Sequence, residues 1–265
     1  MAQDITPDLI RRVRAAVKTA CHPVLKGLLA AVGVVVVVIA AVTYGLTSHP
    51  AAAVLRSPVA SVLRSPTPSV LRVAGYSECG SGIGDGSGLR QGSGYVAGPG
   101  TVVTDAHVIY GDRDPMVQAS GRYYPATVVL FDLADDLAVL RTSAPLPPPL
   151  ATAAARIGTT GKLVGYPVRS PLFIGSAVIT GTAVNTQTGI TRTLLVVHVD
   201  GRQGDSGGPF ITHAGQVAGI FELYWPGKWT CYFIPASTIM RILKLAAGRT
   251  APVPTSTCGP IGPPR

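Results

Sequence analysis

The chain has 265 residues, of which 31 are glycine and 23 proline, and only 13% are charged. That length holds one domain of roughly 200 residues with extensions rather than two, and the composition excludes a helical bundle in favour of short strands and tight turns, an all-β fold. The formal charge of +9 is placed mainly at the N-terminus: residues 1–72 carry eight Lys/Arg against two Asp/Glu, which leaves +3 for the rest. The basic face that a nucleic-acid partner requires is therefore missing.

Residues 28–46 form an uncharged stretch of 19 residues, preceded by Arg11, Arg12, Arg14, Lys18 and Lys26. A run of that length crosses a hydrocarbon core as a helix, and the basic lead puts the N-terminus inside and the remainder outside the cytoplasmic membrane. Ala51, Ala52 and Ala53 also allow a cleaved signal peptide. The long apolar run and long basic lead favour an uncleaved anchor. Residues 1–27 then make a cytoplasmic basic tail, 28–46 the transmembrane helix and 47–69 a linker. In that linker a repeat of period eight (54–58, 62–66, 70–72, each beginning Val-Leu-Arg) places X-Pro units that disfavour helix and keep the chain extended. A periplasmic or cell-wall-side domain over 70–258 and a tail over 259–265 complete the organisation.

Within the domain, the glycine cluster at 80–94 lacks both phosphate-loop patterns and reads as a surface loop leading into a hairpin. Short β-like runs follow at 95–97, 100–103, 126–130, 163–166, 177–184 and 194–199, with no helical period between them. The proline-rich stretch 144–150 interrupts the series and suits a connector between two halves. One soluble helix is predicted over 237–247, where Ile239, Ile242, Leu243 and Ala246 share a face.

Three segments carry chemistry. In Gly204-Asp205-Ser206-Gly207-Gly208-Pro209, small residues let a serine sit on a tight turn, with the backbone N–H groups of Gly204 and Ser206 available to hold a developing oxyanion. A serine needs a histidine base, and the histidine an acid that orients it. Thr104-Asp105-Ala106-His107 and Asp136-Leu137-Ala138-Val139-Leu140 each lie at a β-like run and supply both. Asp132 and Asp135 compete for the acid's role, and His198 and His213 for the base's. No metal-ligand spacing emerges and no cofactor is required.

In the order His, Asp, Ser, with 29 and then 70 positions between them, these segments resemble the chymotrypsin-like (trypsin-like) serine proteases. Gly92-Ser93-Gly94-Tyr95-Val96, the run DLAVL and Gly165-Tyr166-Pro167 look like the bacterial HtrA/Deg branch, and the single anchor is similar to membrane-anchored acid-resistance proteases of actinobacteria. The resemblance implies two six-stranded antiparallel β-barrels followed by a short C-terminal helix, and a serine endopeptidase acting on protein or peptide substrates with His107, Asp136 and Ser206 as its triad. It selects Asp136 as the aspartate directly before Leu-Ala. It also implies a disulfide between Cys79 and Cys258, leaving Cys231 free in a buried strand and Cys21 reduced before the anchor. Asp200, six residues before Ser206, stands where trypsin-like members bind a basic side chain, although Arg202 nearby offers it a partner. Ile220, Phe221 and Glu222 are expected to wall the substrate pocket. The sequence after Arg72, Val73-Ala74-Gly75, looks like the activation terminus of digestive zymogens, but the resemblance to the compact bacterial branch favours reading residues 70–75 as the first strand of an enzyme that needs no activation. An inactive protease-fold module for binding or sensing is the competing function.

Overall fold

The computed structural model describes residues 67–77, 79, 88–186, 191–225 and 227–255 of the chain. The expected anchor, most of the repeat linker, Cys21, Cys258 and the greater part of the glycine cluster lie outside the described residues. Among the described residues no helix is long and apolar enough to cross a membrane.

Among the described residues thirteen strands divide into two sheets in chain order. The first sheet contains β1 (Val70–Tyr76), β2 (Leu89–Gly98), β3 (Thr101–Asp105), β4 (Met116–Ala119), β5 (Arg122–Pro125), β6 (Thr127–Asp132) and β7 (Leu137–Arg141), ordered β5-β4-β1-β2-β3-β7-β6. The second contains β8 (Thr160–Gly165), β9 (Phe173–Asn185), β10 (Arg192–His198), β11 (Pro209–Thr212), β12 (Val217–Tyr224) and β13 (Thr230–Pro235), closed into a barrel. One 3₁₀ turn, Ala106–Ile109, follows β3, and α1 (Ala236–Leu245) follows β13. The helix buries Ile239 and Ile242, the face predicted from their spacing.

Two closed six-stranded barrels were expected, and the first half departs from this: it is an open sheet of seven strands. The seam lies between β5 and β6, which follow one another through Ala126 alone. Proline has no N–H to donate to a ladder, and Pro125 ends β5 at this corner. Ala126 N–H donates to Pro115 O at 2.9 Å and so extends the β4–β5 ladder by one rung, while Val253 N–H of the C-terminal segment reaches Val128 O of β6 at 2.9 Å. The predicted connector, 144–150, contains neither helix nor strand. It is fixed by Ser69 Oγ–H to Pro148 O at 2.7 Å and Leu150 N–H to Val96 O at 2.9 Å.

Each sheet has its own core, and a third core joins them. Leu71, Val73, Val96, Val102, Val117 and Leu140 fill the first sheet. Phe210, Phe221 and Phe233 fill the barrel, with Phe233 edge-on to both others at centroid distances of 6.2 and 5.4 Å. Between them Tyr95, Val103 and Leu137 meet Leu194, Ile220 and Ile234, with α1 closing one side. Fully burying side chains of this size stabilises by roughly 1.5–3 kcal/mol each before entropy is counted. This shared core holds the two halves in one register, and the three chemical segments converge beside it.

Candidate active site

His107 sits in the 3₁₀ turn that ends β3, and Asp136 in the turn that begins β7. Those strands are paired, with Asp105 opposite Leu137, so the two turns emerge together. Asp136 has a left-handed backbone (φ +53°), sparsely populated for a residue other than glycine. It is held there by three bonds to the histidine segment: Ala106 N–H to Asp136 O at 3.0 Å, His107 N–H to Oδ1 at 2.8 Å, and His107 Nδ1 to Oδ2 at 2.7 Å. Two ligands on one zinc ion stand about 3.3 Å apart for bonds near 2 Å at a tetrahedral angle, so the 2.7 Å contact is a hydrogen bond and not a shared metal position. The rival acids are engaged elsewhere, since Asp132 Oδ1 accepts Asp135 N–H at 3.0 Å and both carboxylates meet Arg241.

Ser206 lies on the loop before β11. Gly204 (φ +98°) and Gly207 (φ +83°) bracket it in conformations that L side chains rarely adopt. A Cβ on Gly207 would lie 2.0 Å from Ser93 O, and one on Gly204 2.5 Å from Val168 N. The loop is gripped from both sheets. Ser93 N–H donates to Ser206 O at 2.7 Å, while Gly207 N–H and Phe221 O, and Phe221 N–H and Gly208 O, make a reciprocal pair at 2.9 and 2.8 Å. Ser93 Oγ–H donates to Gly204 O and accepts from Tyr166 N–H, both at 2.8 Å. Gly92 brings the halves of the site together, because its missing Cβ leaves room for Val108, next to His107, and for Ser206 O.

The site's electrostatics are dominated by buried carboxylates. For His107, whose side chain is 45% exposed, burial lowers the pKa, but the Asp136 charge and hydrogen bond and the Glu222 charge outweigh it, and the net shift is upward. Asp105, wholly buried, is pushed well above the usual carboxylate range by burial, then by the Asp136 and Glu222 charges. Its Oδ2 lies 3.9 Å from His107 Nδ1. Burial raises Asp205 to about 7. Its Oδ2 accepts Arg202 N–H at 2.9 Å, which closes the turn ahead of Ser206.

The expected pocket residues are distributed differently. Asp200, 44% exposed, is paired with Arg202 Nη2 at 2.7 Å and Nε at 3.2 Å, and that guanidinium stacks over Phe173 at 4.2 Å. Ile220 and Phe221 are fully buried in the cores, so they serve the site through the Phe221 backbone rather than through side chains. Glu222 is buried against Arg192 of β10. Cys79 is in a disulfide whose partner falls outside the described residues, and Cys231 is a free, buried thiol that donates to Val199 O at 3.4 Å. Sequence reasoning missed Ser93 as a clamp, although it lies within the quoted Gly-Ser-Gly run, and it missed Arg192, which carries no local signal.

The trypsin-like peptidase domain family matches residues 92–220. A curated relative, the serine protease Rv3671c of Mycobacterium tuberculosis, is 33% identical over 168 residues, 59% of this chain and 42% of that protein. The chain thus spans less than half the length of that relative. The crystal structure of the Rv3671c protease in its active form superimposes with a TM-score of 0.66 at 29% identity, covering 80% of this chain and 93% of that one. The HtrA-type protease AlgW with tripeptide shares the fold at a TM-score of 0.61 and 20% identity, over 71% and 63% of the two chains. Residues 92–220, which include His107, Asp136 and Ser206, belong to the trypsin-like peptidase domain family, and the fold around them is similar to that of the Rv3671c serine protease.

Proposed function

We propose that this protein is a membrane-anchored serine endopeptidase that cleaves proteins outside the cytoplasmic membrane. The observation that carries the reading is the double attachment of Asp136 to His107, through the ring Nδ1 and the main-chain N–H. Asp136 keeps the proton on Nδ1, which leaves Nε2 free as the base for Ser206 Oγ. His107 takes that proton as Oγ attacks the scissile carbonyl, then gives it to the leaving amine. Water hydrolyses the acyl-enzyme by the same steps in reverse order. The N–H groups of Gly204 and Ser206 hold the oxyanion, each contributing roughly 3 kcal/mol to the barrier reduction. The substrate backbone pairs with β12 beyond Phe221, where Leu223 and Tyr224 are laddered to β13 on their other side.

Anchoring rests on residues 28–46 and the basic lead before them. A bond from Cys79 to Cys258 is supported by the course of the C-terminal segment. Thr255 Oγ1–H donates to Asp112 O at 2.6 Å, and Cys79 Sγ packs beside Gly111. A fluorophosphonate probe should label the wild-type chain at Ser206 and leave Ser206→Ala unlabelled. Equal labelling of both would refute the assignment.

A further inference from the structure

We propose that Glu222, fixed by Arg192, is a positioning residue for the catalytic dyad: its carboxylate, presented by β12 directly after the residue that grips the nucleophile loop, sets how tightly the imidazole holds the proton taken from Ser206. The inference rests on the peptidase reading above and extends it to how the base is tuned.

The geometry begins with a β-bulge. In the β12–β13 ladder Phe221 opposes Phe233 and Leu223 opposes Tyr232, so Glu222 is the extra residue. Bulges re-aim a side chain, and this one comes directly after the residue whose backbone grips Gly207 and Gly208. A carboxylate is thereby presented, buried, beside the nucleophile loop. Arg192 at the start of β10 meets it through Nη2 and Oε1, with both side chains largely buried. Among the described residues Glu222 Oε2 and Arg192 Nε and Nη1 are buried without hydrogen-bond partners. The pair therefore relies on each other for charge compensation rather than on a surrounding network. Such a pair is weak evidence of stabilisation, because desolvating both ions offsets much of their attraction.

The pair's surroundings supply a functional reason for it. Asp105 approaches His107 from β3, Asp136 from the turn before β7, and Arg90 from β2 through Nη1–H to His107 O at 3.0 Å, while the charge of Glu222 acts on His107 from β12. The charges of Glu222, Asp136 and His107 act on one another, and Glu222 also acts on Asp105. Burial raises Glu222 to about 7, with Arg192 opposing. Arg192 thus favours the ionised form of Glu222 against its burial. An ionised Glu222 favours the imidazolium that forms when Ser206 is deprotonated.

The test is the pH profile of kcat/KM, whose acid limb reports the free enzyme's base. In Glu222→Gln the negative charge is gone and Arg192 is unopposed, so the limb should move to lower pH by about one unit, the effect of one nearby charge. The double variant Glu222→Gln/Arg192→Met leaves no unpaired buried ion and should move it the same way by less. It also serves if the single variant does not fold. If the pair were only a tie between β10 and β12, melting temperature would fall and the limb would coincide with wild type. That result in either folded variant overturns the proposal. Fluorophosphonate labelling of each variant keeps this separate from the peptidase reading, which fails only if Ser206 itself is not labelled.

Discussion

Replacing Ser93 by alanine tests how the nucleophile loop is held. The hydroxyl is fully buried and makes two bonds at 2.8 Å, as donor to Gly204 O and acceptor from Tyr166 N–H. Alanine removes both and leaves a buried carbonyl and a buried N–H facing a methyl group. Each unsatisfied group costs about 1–3 kcal/mol, so the sum is about 2–6 kcal/mol, and at roughly 2–4 °C per kcal/mol for a domain of this size the melting temperature should fall by at least about 4 °C. The bond to Ser206 O comes from the Ser93 main chain and survives the substitution. What loosens is the Gly204 peptide, which in the proposed mechanism contributes an oxyanion donor. Complete loss of one donor costs about 10²–10³-fold in kcat, so partial loosening should cost about tenfold or more, with KM little changed. The assay is a thermal melt together with fluorogenic-peptide kinetics corrected for active sites by fluorophosphonate titration. A folded Ser93→Ala chain with wild-type kcat would refute the argument that Ser93 positions the loop.

Asp136→Asn should keep the turn and lose the correct imidazole tautomer, with kcat/KM down by about 10⁴-fold. Stopped turnover assays check it, and a loss below tenfold would contradict the role given to Asp136. Burial, opposed by the Arg90 charge, raises Asp112 to about 7, so in the folded state it holds a proton that the unfolded chain has released between about pH 4 and 7. More protons are bound folded than unfolded in that window, and stability must fall as pH rises through it. Urea midpoints should drop from pH 5 to pH 8 in wild type and drop less in Asp112→Asn, and equal slopes would remove the explanation. Because Arg202 already pairs with Asp200, Asp200→Ala should leave the preference for or against Arg and Lys unchanged in a peptide-library profile. A selective loss of basic cleavage would restore Asp200 as the pocket acid.

What was readable in the sequence was what short segments specify by themselves. Gly204 to Pro209 needs its glycines because Gly204 and Gly207 adopt positive φ and are touched by backbone. The helix at Ala236–Leu245 was visible because Ile239 and Ile242 repeat at its period. Asp136 could not be separated from Asp132 and Asp135 by local pattern, since all three lie within one turn; Arg241, about a hundred positions later, claims the other two. The open first sheet was unreadable for a related reason. The strands have the right composition for a barrel, and whether the edge strands β5 and β6 pair depends on how the whole sheet curls in space, which neither strand specifies by itself. Glu222 and Arg192 lie 30 positions apart and become one pair only when β10 and β12 enter the same barrel.

The same contacts bear on how the oxyanion loop is shaped. In the zymogen-like alternative, a cut after Arg72 frees the Val73 amine to pair with Asp205. Val73 instead lies fully buried in the middle of β1, opposite Gly92 on one side and Val117 on the other. Arg72 donates to Ser170 O at 2.8 Å and stacks over Tyr166. Freeing that amine would dismantle β1 where it joins β2, the strand whose Ser93 clamps the loop. Asp205 already accepts Arg202 N–H, and Gly204 is already held by Ser93. Asp205 Oδ2 is thus already engaged from within the domain, although its Oδ1 has no hydrogen-bond partner among the described residues, and β1 is the support on which the Ser93 clamp rests.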